Sequence, residues 1–457
     1  MLFVRFLEFV GGIIEAVVRL YHTHRPDGCW EYMSAIIGPI GSRALLNVHL
    51  KKIGGHMQAL EGITVLDFCR NAPGMFCTTV LADLGADVLM IERPMDETRS
   101  AYEKLVAGIQ GDDDARQHAC FNALQRNKRS IALNLKDPEA QDIFQKLAET
   151  TDVVVEGFRP GVMDRLGAGY EKVRSINPRA VYCSVSGYGQ DGPYAQLAGH
   201  DINYISFAGA LGLIGPRDGK PSIPLNLIAD YAGGGLCGAV GILAALMARE
   251  KTGIGQYVDI AMSEGVLYML SGMISDVLSR GVSTERAGNR LNGGAPYYNV
   301  YQTKDGKYFS IAAIEPWFWT NLCHALDRED LLPHQDATGH QKTVVEQAFA
   351  EAFLAKTRDE WFEELKGANI SVGKVYSLSE ALDDPHVKER GMLLEIEAPD
   401  IPEGKVRQVA TSIHLSETPG EVRHLGSVTG QHTSSVLENL GFDAATVADL
   451  IRRQVVQ

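Results

Sequence analysis

"GITVLDFCRNAPGMFCTTVLADLGADVLMIERP", residues 62–94, decides how the rest of the chain reads. "GITVLDF" (62–68) is a short run rich in strand-forming residues, with an acid near its end. "APGMFCTTVLADLGA" (72–86) has helical spacing, and Gly85 supplies the stop. "DVLMIERP" (87–94) returns to strand and Pro94 closes it. Strand, helix and strand within about 30 residues predict a βαβ unit, and so a parallel sheet.

The series continues outward. "SIALNLK" (130–136), "DVVVEGF" (152–158) and "AVYCSVSGYG" (180–189) predict strands, with a helix over "EAQDIFQKLAETT" (139–151). "YAGGGLCGAVGILAALMARE" (231–250) reads as a glycine-rich start and then a long apolar helix. "GQYVDIAMSEGVLYML" (255–270) reads as strand then helix, and "GKYFSIAAI" (306–314) as a strand. Helices are expected over 343–355 and 357–365, each opened by a Thr-x-x-Glu capping box, after a polar loop at 332–342. "TSSVLENLGF" (433–442) predicts one more helix with a glycine stop. Residues 1–58 look foreign to this pattern. "MLFVRFLEFVGGIIEAVVRLYH" carries Arg5, Glu8, Glu15 and Arg19 and reads as an amphipathic helix in an extension outside the fold. A mitochondrial targeting segment is the alternative, against which the two acids argue.

A length of 457 residues predicts two or three domains. Hydrophobic residues make up 45% and charged residues 22%, as in a soluble globular protein. The net charge of -14 disfavours nucleic acid and anionic membranes as partners, so an anionic small ligand would need a local basic site. The seven cysteines (Cys29, Cys69, Cys77, Cys120, Cys183, Cys237 and Cys323) form no CxxC. They predict buried, reduced thiols of an intracellular protein rather than disulfides or a zinc site. No membrane insertion is expected.

Several groups are candidates for chemistry. The first βα turn, "DFCRNAPG", lacks GxGxxG, so a dinucleotide fingerprint is absent. Arg93 ends the second strand, where a basic residue suits a phosphorylated ribose or is simply a surface arginine. "QRNKRSIALNLK" (125–136) is the densest positive patch, either a phosphate receptor or a solvated turn. Arg159 and Arg165 follow a strand, the end at which open α/β sheets bind ligands. "GHDINY" sets His200 beside Asp201 in an apolar stretch, where a lone histidine is more often a core residue than a reactive one. Asp230 ends an apolar strand-like run before three glycines, where a helix N-terminus would ease its ionisation. Glu315, followed by Pro316, Trp317 and Phe318, is either a desolvated catalytic acid or a partner for another polar group. Spacing alone does not bring these three together.

As an ordered set, "LEGITVLDF", "LADLGADVLMIERP", "RNKRSIALNLK", "EGFRPGVMDRLG", "NPRAVYCSVSGYGQDGPY", "GHDINY" and "GQYVDIAM" resemble the family III CoA-transferase (CaiB/BaiF) superfamily, from about Leu60 to Gly441. "GHDINY", "NLIADYAGGG" and the segment from "GGAPYY" to "AIEP" look like its racemase branch. The resemblance implies an α/β fold: a Rossmann-like large domain (59–255), a smaller α+β domain (256–400), and a C-terminal segment (401–457) returning to the large one. It also implies an interlocked homodimer. It implies racemisation at C2 of 2-methylacyl-CoA thioesters, with His200 and Asp230 as the two bases and Glu315 paired with the histidine. CoA contacts carry over to Arg93, to Leu133, Asn134, Leu135 and Lys136, to Gly157, Phe158 and Arg159, to Arg165, and to Gly199, Asp201, Ile202, Asn203 and Tyr204. Backbone N–H groups around Gly233 to Gly235 are implied as donors to the enolate. No cofactor or metal is implied, since CoA is part of the substrate. The expected compartment is the cytoplasm, or the mitochondrion if residues 1–58 are a targeting segment. The alternative within the family is CoA transfer with Asp201 as nucleophile; outside it, a non-catalytic CoA-ester binding protein. Three departures stand out: Asn134 where relatives commonly have aspartate, Trp317 where racemases often have glutamine, and the extension before Met57.

Overall fold

The computed structural model describes residues 57–95, 115–281 and 284–457. The amphipathic helix expected near the start, and the extension up to residue 56, lie outside the described residues. Contacts divide the chain into Ala59–His414 with Gly420–Gln457, and Met1–Gln58 with Leu415–Pro419. The described part of the second unit contains no helix or strand.

The βαβ unit forms as predicted. Strand β1 (Thr64–Asp67) leads into helix α1 (Ala72–Asp83) and then β2 (Asp87–Glu92), and β1 and β2 pair in parallel. α1 stops because Gly85 adopts a φ of 112°. The Ala86 N–H then reaches back to the Leu81 carbonyl at 3.0 Å, closing the helix end. Strands β3 (Lys128–Ala132), β4 (Val153–Glu156), β5 (Val181–Ser186) and β6 (Tyr257–Ala261) complete a parallel sheet in the order β3-β2-β1-β4-β5-β6. The sheet therefore continues past residue 255. Strand order reverses between β1 and β4, so the crevice for a ligand lies beyond the carboxyl ends of those two strands.

Both faces of the sheet are covered, which is why its strands read as unbroken apolar runs. Alternate residues point to opposite sides. Leu66, Leu89 and Val154 pack with Ile143 and Phe144 of α2 (Pro138–Ala148). Val65, Val88, Val153 and Val155 pack with Cys77 and Leu81 of α1 and with Ile242 and Leu246 of a later helix (Cys237–Thr252).

Before that later helix come α3 (Asp201–Phe207) and a π-helix (Leu227–Leu236) that runs into it; the later helix is α4. The reading of residues up to Asp230 as strand-like fails here, because the whole segment is helical. Leu227–Thr252 is long and apolar enough to cross a membrane by length and composition. Residues 231–248 within it carry no charged side chain, and one side of the helix packs on the sheet at Ala239, Ile242, Ala245 and Leu246. α5 (Met262–Met269) and α6 (Ser271–Arg280) follow β6.

A second core surrounds the antiparallel sheet β7 (Tyr298–Gln302), β8 (Tyr308–Ala312) and β9 (Val372–Lys374). Phe309, Trp319, Phe349, Phe353 and Trp361 fill it from β8, α7 (Pro316–Ala325), α8 (Gly339–Phe353) and α9 (Arg358–Leu365). The Thr357 capping box forms as predicted. α8 starts at Gly339, four residues before the expected Thr343, so part of the expected loop is helix. After the hairpin β10 (Leu393–Glu397) and β11 (Lys405–Val409), the chain returns to the parallel sheet. Val436 and Leu437 of α10 (Thr433–Asn439) and Val447 and Leu450 of α11 (Ala444–Arg452) join the core that holds Leu66 and Ile131.

Candidate active site

Both expected bases lie on segments packed against the core of the parallel sheet. His200 is the exposed residue immediately before α3, its backbone N–H held by Asn203 Oδ1 at 3.1 Å. Asp230 is the fourth residue of the π-helix and half-buried. Burial raises the Asp230 pKa, the hydrogen bond from Asn226 Nδ2 (3.1 Å) lowers it, the Asp201 charge raises it, and His200 lowers it. His200 and Asp230 are therefore within electrostatic reach. Asp201 is only 4% exposed. Its Oδ2 accepts the backbone N–H groups of Ala229 (2.7 Å) and Asp230 (2.9 Å). Tyr204, one turn along α3, donates to the Gly199 carbonyl at 2.6 Å and feels Asp230, Arg159 and Asp201.

The π-helix holds Asp230 by wedging its glycines between neighbours. A Cβ on Gly233 would lie 2.8 Å from the Met262 carbonyl oxygen. One on Gly234 would lie 2.9 Å from Met262 Cγ and Pro73 Cβ, and one on Gly235 2.8 Å from Phe76 Cδ1. All three glycines are buried inside the helix. They let backbones approach α1 and α5, so the expectation that they present free N–H groups to an enolate is corrected. π-helical turns cluster at functional sites because the wide turn re-aims one side chain, here that of Asp230.

Beneath α1 lies a buried ion pair that the sequence did not advertise. Lys128 is fully buried, and its Nζ donates to Asp67 Oδ2 (3.2 Å), Met75 O (2.9 Å) and Thr78 Oγ1 (2.7 Å). Its neighbours are spent too. Arg126 pairs with Asp83 (2.6 Å) and Arg129 with Asp87 (2.7 Å). Within the basic cluster at 125–136, Arg126 and Lys128 are thus held in buried ion pairs and Arg129 in a half-exposed one.

The expected CoA contacts divide. Arg93 follows β2, Gly157 to Arg159 follow β4, and Arg165 ends a short helix, Val162–Arg165. All lie at the carboxyl edge of the sheet, and Arg159 and Arg165 are exposed. Arg70, which the sequence reading passed over, follows β1 and stands 5.2 Å over the Phe158 ring. It bridges the two strands where the order reverses. A basic residue in the turn "DFCRNAPG" was the available signal. Leu133 and Leu135 point into the core instead. The Asn134 N–H, expected to serve a ligand, donates to the Val455 carbonyl at 2.9 Å, and of this segment only Lys136 is exposed. In the Gly199–Tyr204 segment the Asp201 side chain faces the π-helix, while Ile202 is exposed.

Glu315 lies beside the core of the antiparallel sheet, immediately before α7, followed by an exposed Trp317. Among the described residues, no hydrogen bond or ion pair joins it to His200 within one chain. A cleft of about 930 Å³ lined by Gly215, Pro216, Leu291 and the β7–β9 sheet contains none of the expected site residues. No group of histidine, cysteine, aspartate and glutamate among the described residues is arranged to hold a metal ion.

The chain is 36% identical to the α-methylacyl-CoA racemase of Homo sapiens, over 87% of this chain and 98% of that one. It is 29% identical to the succinyl-CoA:glutarate CoA-transferase of Homo sapiens, over 91% and 94%. The crystal structure of a CaiB/BaiF family protein from Brucella suis superposes with a TM-score of 0.69 at 28% identity, covering 84% of this chain and all of that one. The family model described as CoA-transferase family III matches residues 60–433, and the chain belongs to that family.

Proposed function

We propose that the protein racemises C2 of 2-methylacyl-CoA thioesters by two-base proton transfer. The observation that carries this reading is the convergence of His200 and Asp230, a neutral-type base and a carboxyl, on one site while the Asp201 carboxylate is buried and tied to the π-helix. A transferase nucleophile must reach a thioester carbonyl; Asp201 instead takes two amide N–H groups.

The thioester acidifies C2, and an enzyme base removes its proton. The C2–H electron pair moves toward the carbonyl, giving an enolate. A second group on the opposite face returns a proton to C2, inverting the centre. His200 serves one face. Asp230, whose pKa is raised mainly by burial, holds a proton more readily than an exposed carboxyl and so can deliver one on the other face. In the reverse direction the roles exchange. CoA is a handle, met by Arg93, Arg159 and Arg165 at the sheet edge, and binding there positions C2 without taking part in the proton transfer.

The reading includes a homodimer. Leu227, Val240, Met247, Tyr268 and Leu278 leave apolar side chains exposed on the π-helix, α4, α5 and α6. In that assembly Glu315 of a second copy orients His200 and stabilises its protonated form, as a carboxylate does beside a catalytic imidazole. The test uses His200→Ala and Asp230→Asn. Each should abolish racemisation, yet each should still exchange the C2 proton of one enantiomer for solvent deuterium, and the two variants should favour opposite enantiomers. Full racemase activity in either variant would overturn the proposal.

A further inference from the structure

Asp201 is used by neither face of the reaction, yet it is the most constrained acid in the site. It is the first residue of α3, next to His200, and 4% exposed. Its Oδ2 reaches across to the third and fourth residues of the π-helix, accepting Ala229 N at 2.7 Å and Asp230 N at 2.9 Å. The first amides of any helix lack partners within it, and the i→i+5 pattern of a π-helix leaves one more of them bare. An aspartate 28 residues away in sequence supplies that cap. Ends of two elements are thereby joined: the one bearing His200 and the one bearing Asp230.

The His200 end is fixed independently. His200 N–H is held by Asn203 Oδ1 at 3.1 Å, and Tyr204 Oη donates to the Gly199 carbonyl at 2.6 Å. On the other side, Pro73 and Phe76 of α1 and Met262 and Val266 of α5 meet the π-helix glycines. Asp201 is the direct polar link between these two braced segments. Its second oxygen, Oδ1, is buried and accepts no hydrogen bond from the described residues.

We propose that Asp201 is a positioning residue that clamps the His200 segment to the first turn of the π-helix, setting the separation of the two bases and keeping a negative charge beside Asp230. This deepens the two-base reading and rests on it. The charge has a defined effect. Asp230 interacts with Asn226 just before its helix and Tyr231 on it, with His200 just before α3, and with Asp201 and Tyr204 on α3. Pro73, Phe76, Met262 and Val266, which meet the helix from α1 and α5, do not titrate. Asp201 raises the Asp230 pKa, so removing its charge should lower it.

Two variants of the full-length protein separate geometry from charge. Asp201→Ala removes the cap, and kcat for C2 inversion should fall by about tenfold or more, while KM changes by less than about threefold, since a loosened base acts on the chemical step. Asp201→Asn keeps an acceptor for the two amides and should restore much of kcat. In the direction in which Asp230 takes the proton, its acid limb should lie at lower pH than that of wild type. Far- and near-UV circular dichroism checks that both variants fold. Wild-type kcat in Asp201→Ala, or an unmoved limb in Asp201→Asn, overturns the clamp and leaves the two-base reading standing. Loss of activity in both variants, together with loss of a covalent aspartyl adduct trapped in the wild type, makes Asp201 a nucleophile and overturns both. A wild type that exchanges no C2 proton overturns the two-base reading directly, and the clamp with it.

Discussion

Gly233→Ala should damage stability and turnover together, and the structure supplies the size of the effect. A Cβ at this position would sit 2.8 Å from the Met262 carbonyl oxygen and 3.4 Å from Val266 Cγ2. The closest obstacle is backbone, so no side-chain rotation relieves it. The opposing helix is equally close, since a Cβ on Gly265 would lie 2.4 Å from the Gly233 carbonyl. Overpacking of this kind costs about 1–3 kcal/mol, against which the helix preference of alanine over glycine returns up to about 1 kcal/mol. The expected net loss is about 1–2 kcal/mol. Gly272→Ala is the matched control. It lies in α6 with nothing within 4 Å of the added Cβ, so only the favourable term remains. Urea midpoints, compared at constant m, should therefore separate the two variants by about 2 kcal/mol. Pushing the π-helix off α5 also moves Asp230, one turn earlier, and a misplacement of about 1 Å costs about a hundredfold in rate. C2 exchange measured at saturating substrate reads that loss. Equal midpoints for the two alanine variants, with equal exchange rates, would refute the view that close backbone packing positions Asp230.

Other consequences follow from the same geometry. Lys128→Met strands the Asp67 carboxylate in the core and should cost about 3–5 kcal/mol in urea unfolding, and adding Asp67→Asn should restore part of that; a single variant within 1 kcal/mol of wild type would mean the pair is not buried as described. Glu156 is 4% exposed, and burial, opposed by hydrogen bonds from Ser184 and the Phe158 N–H, lifts its pKa from 4.5 to about 6. Its proton is held more tightly in the folded state, so the stability it contributes is present below pH 4.5 and lost as pH rises through 6. Glu156→Gln should remove about 2 kcal/mol of that decline between pH 4.5 and 8, seen in denaturation midpoints, whereas an unchanged pH slope would show that Glu156 titrates normally. Co-expressed His200→Ala and Glu315→Ala chains should recover about a quarter of wild-type sites if Glu315 acts across a dimer, and none if it acts within its own chain.

Much of the scaffold was written in local patterns. Apolar runs bounded by turn residues placed the strands of the parallel sheet, and Gly85 and the Thr357 capping box marked helix ends because each depends on neighbours a few residues away. The π-helix was hidden for the opposite reason. "NLIAD" before three glycines favours a strand and a loop locally, and only packing against α1 and α5 makes a wide helix the better solution there. The basic run at 125–129 misled in the same way: whether Lys128 faces water or Asp67 depends on strand pairing across the sheet. His200 and Asp230 were singled out by residue type and resemblance, and their proximity needed the fold. The Asp201 cap was not legible at all, because it joins residues 28 apart through a side chain and two amides. Arg70 was overlooked because the turn was searched for glycines, and a cation over Phe158 needs β1 and β4 to be neighbours.

Proton movement at C2 is the decisive step. One enantiomer of a 2-methylacyl-CoA, incubated with the wild-type protein in deuterated water and with no carboxylate acceptor, is followed by NMR at C2 and by chiral separation of the released acid. Two-base racemisation predicts loss of optical purity, with one deuterium entering at C2 of the inverted product. Retained configuration and retained hydrogen at C2, with CoA passing to a free carboxylate once one is added, would contradict it.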